Sequence, residues 1–202
     1  GSMQCFSGDL LVQTSEGTKR MKELKKGDQV LSIDENVVRV SYQPIIMFLH
    51  RDVEQLAEFN VITTESGDTV KLTDEHLIYA SDCDPESMFQ LLRAKEITTA
   101  HCVMGVQSSE KEGQIDRVVS VTKVRESGIY APLTSTGTII VNGVLSSCHS
   151  NLALATLQQT FFFLYRVIAR HVSFLFPVEE EGSIPLGVSY LTSSLDLFIP
   201  TK

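Results

Sequence analysis

The sequence predicts an all-β fold for residues 5–150, followed by a mostly helical appendage at 151–202. Short apolar segments recur along the first region, and turn-forming residues separate them. The predicted strands cover residues 10–12, 29–33, 37–48, 59–63, 69–72, 76–79, 102–106, 117–124 and 138–145. The turns between them contain Gly8-Asp9, Gly27-Asp28, Asp34-Glu35-Asn36, Ser66-Gly67-Asp68 and Lys111-Glu112-Gly113.

Helical signals are sparse in the first region. Residues 19–26 form one short helical candidate, which ends at Gly27, and residues 87–97 form another. A weak internal duplication is also visible, because 28–33 matches 101–106 in pattern and 67–70 matches 137–140. Two intertwined copies of one β-unit would bring their ends into a shared centre. Loose matches of this kind are common in β-rich sequences.

Composition limits the classes of function. With 202 residues, 43% of them hydrophobic and 21% charged, the chain is long enough for an ordered core. The net charge of -8 argues against a nucleic-acid partner, since such binders need a basic face. None of the four cysteines lies in a Cys-x-x-Cys pair, which argues against a zinc ribbon or a thioredoxin-type site. No metal site and no cofactor are expected. Disulfides in a secretory compartment remain open, with three pairings.

The region 151–202 differs in character. Residues 151–170 contain no Gly or Pro and carry a narrow polar stripe, while phenylalanines crowd the remaining circumference. Such a helix suits a lipid cleft or a membrane interface, although packing onto the β-core or in a dimer is the alternative. No apolar run reaches the length of a membrane span. The predicted lipid-binding residues are Phe161, Phe162, Phe163, Tyr165, Arg166 and Arg170.

The candidate chemistry starts at Cys5. Residues 1–4 are expected to be a tag remnant (Gly1-Ser2-Met3) and the residue before a scissile bond, Gln4. A thiol in this position can attack the preceding carbonyl, provided that a neighbour handles protons. Thr73-Asp-Glu-His76 supplies a hydroxyl and an imidazole within one turn. The pattern predicts self-cleavage at Gln4-Cys5, whereas a buried or disulfide-bonded Cys5 is the plainer alternative.

Several motifs resemble the autoprocessing domain of the hedgehog family, a relative of the intein-like Hint fold with its pseudo-twofold β-structure. These motifs occur in order through residues 5–148. Where the sequence diverges from the hedgehog pattern, it is similar to the nematode hedgehog-related proteins of the warthog group. The motifs are Cys5-Phe-Ser-Gly, Gly27-Asp-Gln-Val-Leu, Phe48-Leu-His-Arg-Asp, Leu72-Thr-x-x-His-Leu and Ile129-Tyr-Ala-Pro-Leu-Thr-Ser-Thr-Gly-Thr-Ile-Ile-Val-Asn-Gly-Val-Leu-Ser-Ser-Cys148.

The resemblance implies a two-step reaction. Cys5 attacks the Gln4 carbonyl and converts the amide into a thioester, with Thr73 hydrogen-bonding the scissile group and His76 protonating the leaving nitrogen. A lipid alcohol, in the family typically cholesterol, then takes the N-terminal fragment. The implied partners are the chain's own N-terminal fragment and a sterol or membrane lipid. The implied location is the secretory pathway (endoplasmic reticulum), then secretion or membrane association.

The sequence departs from the family pattern at two positions. His50 replaces the aspartate that is assigned as the base of the second step, and neutral imidazole can take a proton near pH 7. His50 is therefore either that base or a space-filling side chain. Gln4 replaces the usual glycine, which puts the rate of the first step in question.

Cys148 ends the best-matched block, and the resemblance places it near Cys5 in the centre of the fold. It is either a reversible disulfide partner that holds the nucleophile inactive or a small core residue. The region after it corresponds by position to the sterol-recognition region of hedgehogs. The other functional readings are an intein-like splicing element and a catalytically inert lipid-binding module.

Overall fold

The computed structural model describes residues 4–34, 39–84, 87–106 and 113–148, and the side chain of Asp34 is not described. The helical lipid-contacting region predicted at 151–202, with Phe161, Phe162, Phe163, Tyr165, Arg166 and Arg170, lies outside these residues. Within them the protein is all-β, as the sequence predicts, with two short 3₁₀ helices as the only helical elements.

Twelve strands form the described part of the protein. They are β1 (Phe6–Ser7), β2 (Leu11–Thr14), β3 (Gly17–Arg20), β4 (Gln29–Asp34), β5 (Arg39–Thr64), β6 (Thr69–Leu72), β7 (Leu77–Ser81), β8 (Gln90–Arg93), β9 (Cys102–Gly105), β10 (Gln114–Thr134), β11 (Thr138–Val141) and β12 (Val144–Ser147). The 3₁₀ helices are Met21–Glu23 and Ala94–Glu96. The strand order is β11-β12-β7-β9-β10-β1-β6-β5-β4-β2-β3, and β8 pairs with β7.

The long strands β5 and β10 organise the sheet. They pair antiparallel from Thr64 opposite Val118 to Ile45 opposite Thr134. The sequence predicts two separate strands at 37–48 and 59–63, but β5 runs through both without a break. The intervening residues 49–58 are largely polar and charged, so they carry no strand pattern of their own. Their pairing with β10 outweighs this weak local preference.

The internal duplication is present in the structure as a repeated order of elements. Hairpin β2–β3, a 3₁₀ helix and strands β4, β5 and β6 correspond to hairpin β7–β8, a 3₁₀ helix and strands β9, β10 and β11. Both 3₁₀ helices begin in the same way. The backbone N–H of Arg20 donates to the side-chain carboxylate of Glu23, and that of Arg93 donates to the side-chain carboxylate of Glu96. The long strands of the two repeats, β5 and β10, pair with each other, which intertwines the two copies.

The main core lies between the two repeats. Its fully buried side chains come from both copies, for example Leu72 of the first and Ile78 and Ile139 of the second. A second, smaller cluster collects Cys5, Ala57, Phe59, Ile129 and Ala131. No helix among the described residues is long and apolar enough to cross a membrane.

Candidate functional site

Strand β1 brings the candidate nucleophile to the centre of the sheet. Phe6 pairs with Tyr130 of β10 on one side and with Leu72 of β6 on the other. Cys5 directly precedes this two-residue strand and is 1% exposed. The Gln4-Cys5 peptide bond therefore lies inside the fold, where water is largely excluded.

Thr73 holds Cys5 through two hydrogen bonds. The backbone N–H of Cys5 donates to Oγ1 of Thr73 at 2.8 Å, and the N–H of Thr73 donates to the carbonyl of Cys5 at 3.1 Å. The nitrogen in the first bond is the one that would leave in a cleavage at Gln4-Cys5. Thr73 thus fixes the orientation of the scissile amide.

His76 is buried beside the same peptide. Its backbone N–H closes a turn on the Thr73 carbonyl at 3.0 Å, and its ring meets that of Phe6 edge to face at 4.2 Å. Nε2 lies 2.9 Å from the carbonyl oxygen of Ser147. Since a carbonyl only accepts, Nε2 carries the proton and Nδ1 keeps its lone pair. Within the described part of the chain, Nδ1 makes no hydrogen bond.

Burial governs the protonation of both groups. It lowers the pKa of His76 to about 4, against smaller opposing effects of the Ser147 and Gln4 backbones. It raises the pKa of the Cys5 thiol to about 12, although the Gln4 backbone acts in the other direction. At neutral pH the site therefore contains an uncharged thiol and an uncharged imidazole whose free nitrogen can accept a proton.

Gln4 itself is part of this environment. Its side-chain Oε1 is buried and makes no hydrogen bond to any described residue. The Gln4 backbone lowers the pKa of the Cys5 thiol, as an N–H donor does, and raises the pKa of His76, as a carbonyl acceptor does. The scissile carbonyl therefore lies next to the imidazole.

His50 lies on β5, opposite Ala131 of β10. Its side chain is half-buried, and Nε2 is 3.4 Å from Oε1 of Gln55. Its strand neighbour Leu49 and its cross-strand partner Ala131 both pack in the cluster that contains Cys5. His50 is thus adjacent to residues that pack around the thiol but does not belong to that cluster itself. Its role in proton transfer stays a prediction.

The structure pairs two of the four cysteines. Cys83 and Cys102 form a disulfide, whereas Cys5 and Cys148 are buried free thiols. Cys148 packs in the main core, 3.7 Å from Oγ1 of Thr134, and burial raises its pKa to about 11. A disulfide between Cys5 and Cys148 is absent from this state, and the redox role of Cys148 stays a prediction.

Two contributors to the site escape sequence reasoning. Ser147 acts through its backbone carbonyl, which carries no side-chain signal. Lys71 bonds Asp9 at 2.8 Å and Glu126 at 2.6 Å, and the two carboxylates share the single hydroxyl proton of Ser7 of β1. These charged residues are far apart in the chain, so only the sheet brings them together beside β1.

The fold and the site define the class of protein. A sequence model of the Hint module family matches residues 1–194. The crystal structure of the gp41-1 intein has the same fold, with a TM-score of 0.57, 18% identity, and coverage of 72% of this chain and 99% of that one. The DnaB intein from Synechocystis sp. gives a TM-score of 0.59 at 17% identity, covering 72% of this chain and 98% of the intein.

The chain belongs to the Hint module family. It is 52% identical to Warthog protein 6 of Caenorhabditis elegans, over 98% of this chain and 33% of that protein. It is 32% identical to the protein hedgehog of Drosophila melanogaster, over 92% of this chain and 39% of that protein. The chain thus spans between a third and two fifths of the length of these relatives, and the family is one of autoprocessing proteins.

Proposed function

We propose that this chain cleaves its own Gln4-Cys5 peptide bond through a thioester and passes the N-terminal fragment to a lipid alcohol. The observation that carries the proposal is the environment of the scissile amide. The Cys5 nitrogen donates to Thr73, while the neutral imidazole of His76 lies beside the Gln4 backbone. Family membership supports the same class of reaction.

In the first step, Sγ of Cys5 attacks the carbonyl carbon of Gln4. The thiol proton passes to Nδ1 of His76, which its Nε2–H bond to Ser147 leaves free to accept it. His76 then donates this proton to the Cys5 nitrogen, the C–N bond breaks, and a thioester and a free amine remain. The low pKa of His76 favours the return of the proton, because the buried imidazolium is costly.

In the second step, an alcohol attacks the thioester. The C–O bond forms, the C–S bond breaks, the hydroxyl proton goes to His50 and the Cys5 thiolate takes a proton back. A sterol such as cholesterol is the proposed alcohol, and residues 151–202 are the proposed lipid-recognition region. The partners are thus the chain's own N-terminal fragment and a sterol or membrane lipid. No cofactor enters either step.

The proposed location is the secretory pathway, followed by secretion or membrane association. The Cys83–Cys102 disulfide supports it, because such bonds persist in oxidising compartments.

The test is a reporter protein fused ahead of Gln4, incubated with hydroxylamine or with cholesterol in detergent micelles. Hydroxylamine should release the reporter from the wild type, and mass spectrometry should find the cholesterol adduct in the second incubation. Cys5→Ala should release nothing, since no other atom at this bond can form the thioester. Cys148→Ala, which removes the other buried free thiol, is the matched control and should still respond to hydroxylamine.

The outcomes separate the alternatives. Release from Cys5→Ala would exclude the thioester mechanism. A splicing element would join its flanking sequences, and an inert lipid-binding module would leave the wild-type fusion intact.

A further inference from the structure

The antiparallel register of β5 and β10 breaks close to His50. Asp52 pairs with Ile129 and Leu56 pairs with Ser127, so residues 53–55 of β5 stand opposite Gly128 alone. The three residues form a bulge, which is the largest of four register shifts along this strand pair. Bulges are common next to functional sites because they redirect a side chain.

The bulge is held by local contacts. Oδ1 of Asp52 accepts the backbone N–H of Glu54 at 3.0 Å and that of Gln55 at 3.1 Å. Gly128 has a φ of +96°, and a Cβ there would stand 3.2 Å from the ring of Tyr130 and 3.6 Å from the carbonyl oxygen of Val53. Glycine is therefore required opposite the bulge, for its conformation as well as for space.

The consequence of the bulge is that Gln55 reaches His50. In a regular strand, residues five apart point to opposite faces and are separated by about 16 Å. Here Oε1 of Gln55 lies 3.4 Å from Nε2 of His50. An amide oxygen only accepts, so Nε2 of His50 carries the proton and Nδ1 keeps a lone pair.

We propose that Gln55 is a positioning residue for His50, which selects the tautomer whose Nδ1 takes the proton of the incoming alcohol or water. The proposal rests on the proposed function, in which His50 is the base of the second step. It assigns the bulge a role in that step alone, because Gln55 hydrogen-bonds His50, the proposed base of that step.

The other charged and titratable groups near His50 are engaged elsewhere. Arg51 donates to the carbonyls of Lys22 and Leu24, both at 2.9 Å, and its guanidinium lies over the rings of Phe48 and Tyr130. Asp52 holds the bulge, and Glu54 is exposed. Among the described side chains, Gln55 is the one that hydrogen-bonds the His50 ring.

The experiment compares Gln55→Met with Glu54→Met, which makes the same kind of change on the neighbouring residue of the bulge. Release of a reporter fused to the full chain is measured with hydroxylamine, which attacks a thioester without a base. It is also measured by hydrolysis in buffer and with cholesterol micelles. Gln55→Met should keep the hydroxylamine rate and slow the base-dependent release roughly tenfold. Glu54→Met should keep both.

Two further measurements report on the tautomer itself. In side-chain ¹⁵N spectra near pH 7, wild-type His50 should show protonated Nε2, and Gln55→Met should show a mixture of both tautomers. Gln55→Glu retains an acceptor oxygen, but its charge favours a second proton on the ring. The pH dependence of base-dependent release should therefore move upward by about one pH unit in this variant. Gln55→Glu also provides the test if Gln55→Met does not fold.

The failure of this proposal differs from a failure of the proposed function. If His50→Ala slows hydrolysis while Gln55→Met changes neither hydrolysis nor the tautomer, His50 is the base and Gln55 does not position it. If His50→Ala leaves both hydrolysis and cholesterol release unchanged, the second step of the proposed function is itself wrong.

Discussion

His76 shows how burial sets the chemistry of a single residue. The side chain is 1% exposed, and its pKa is lowered to about 4, mainly because burial disfavours the charged ring. The unfolded chain takes up this proton near pH 6.5, whereas the folded chain does so only near pH 4. Folding thus keeps the imidazole neutral over the pH range in which it is proposed to accept the thiol proton.

This difference predicts a pH dependence of stability. As the pH falls from about 6.5 to about 4, the unfolded state binds a proton that the folded state refuses, so the free energy of unfolding decreases. The decrease assigned to His76 is on the order of 3 kcal/mol. Urea unfolding at several pH values should show that this part of the decrease is absent from His76→Gln, which retains a donor for Ser147.

The control for that measurement is His101→Gln. His101 is half-buried, and its Nδ1 accepts the N–H of Thr98 at 3.0 Å. This variant should still show the part of the stability loss that His76→Gln removes, because His76 is intact in it. An unchanged pH dependence in His76→Gln would show that the ring is not kept neutral in the folded state.

At the scale of elements, the nucleophile depends on the shortest strand. Strand β1 has two residues, so few backbone hydrogen bonds position it. The single hydroxyl proton of Ser7 is shared between Asp9, at 2.8 Å, and Glu126, at 2.7 Å, and Lys71 of β6 bridges the same two carboxylates. The cluster ties β1 to both neighbouring strands, two residues after Cys5.

Lys71→Met should therefore impair the first step more than it impairs folding. With the bridge removed, two carboxylates repel each other beside Ser7, and we expect hydroxylamine-induced release to slow several-fold. The free energy of unfolding should fall by only about 1 kcal/mol, because the ion pairs are partly exposed. Reporter release and urea unfolding measure the two effects separately.

Lys19→Met is the matched control. Lys19 also bridges two carboxylates, Glu16 and Asp28, both at 3.2 Å, but neither lies on a strand that pairs with β1. This variant should leave hydroxylamine-induced release at the wild-type rate. Equal slowing in both variants would mean that the effect is general rather than a consequence of β1 positioning.

Across the whole molecule, the two repeats differ in how they are stabilised. In the second repeat a disulfide joins Cys83, after β7, to Cys102 of β9. Near the corresponding place in the first repeat, the backbone N–H of Ser15 donates to the carbonyl of Gln29 at 3.0 Å. The second repeat thus has a covalent link at a place where the first repeat has a backbone hydrogen bond.

Reducing this disulfide should lower stability without stopping the chemistry. It closes a loop with a sequence separation of 19, and loop-closure entropy for this length is about 3 kcal/mol. Urea unfolding of the oxidised and reduced wild type should differ by about this amount. Cys83→Ala/Cys102→Ala should still release the reporter with hydroxylamine, and loss of release would mean that the disulfide is needed to form the site.

Much of this could be predicted from residues close together in the chain. The alternation of apolar segments and turns predicts the all-β class, and the Thr73-x-x-His76 spacing predicts that these two groups share a turn. The 3₁₀ helices lie inside the two helical candidates, but the candidate at 87–97 is wrong over Gln90–Arg93, which form β8 because they pair with β7. The duplication also follows from local patterns. The strand at 49–58 does not, because its polar residues are extended only through their pairing with β10.

The sequence by itself thus determined the fold class, the family resemblance and the candidate nucleophile Cys5 with Thr73 and His76. Only the tertiary structure decided which cysteines pair, which ring nitrogen of His76 is free, and which side chain meets His50. These outcomes depend on burial and on contacts such as Cys5 to Thr73 and His76 to Ser147, which join residues 68 and 71 positions apart. Such contacts form when the long strands of the two repeats pair, and no local pattern records them.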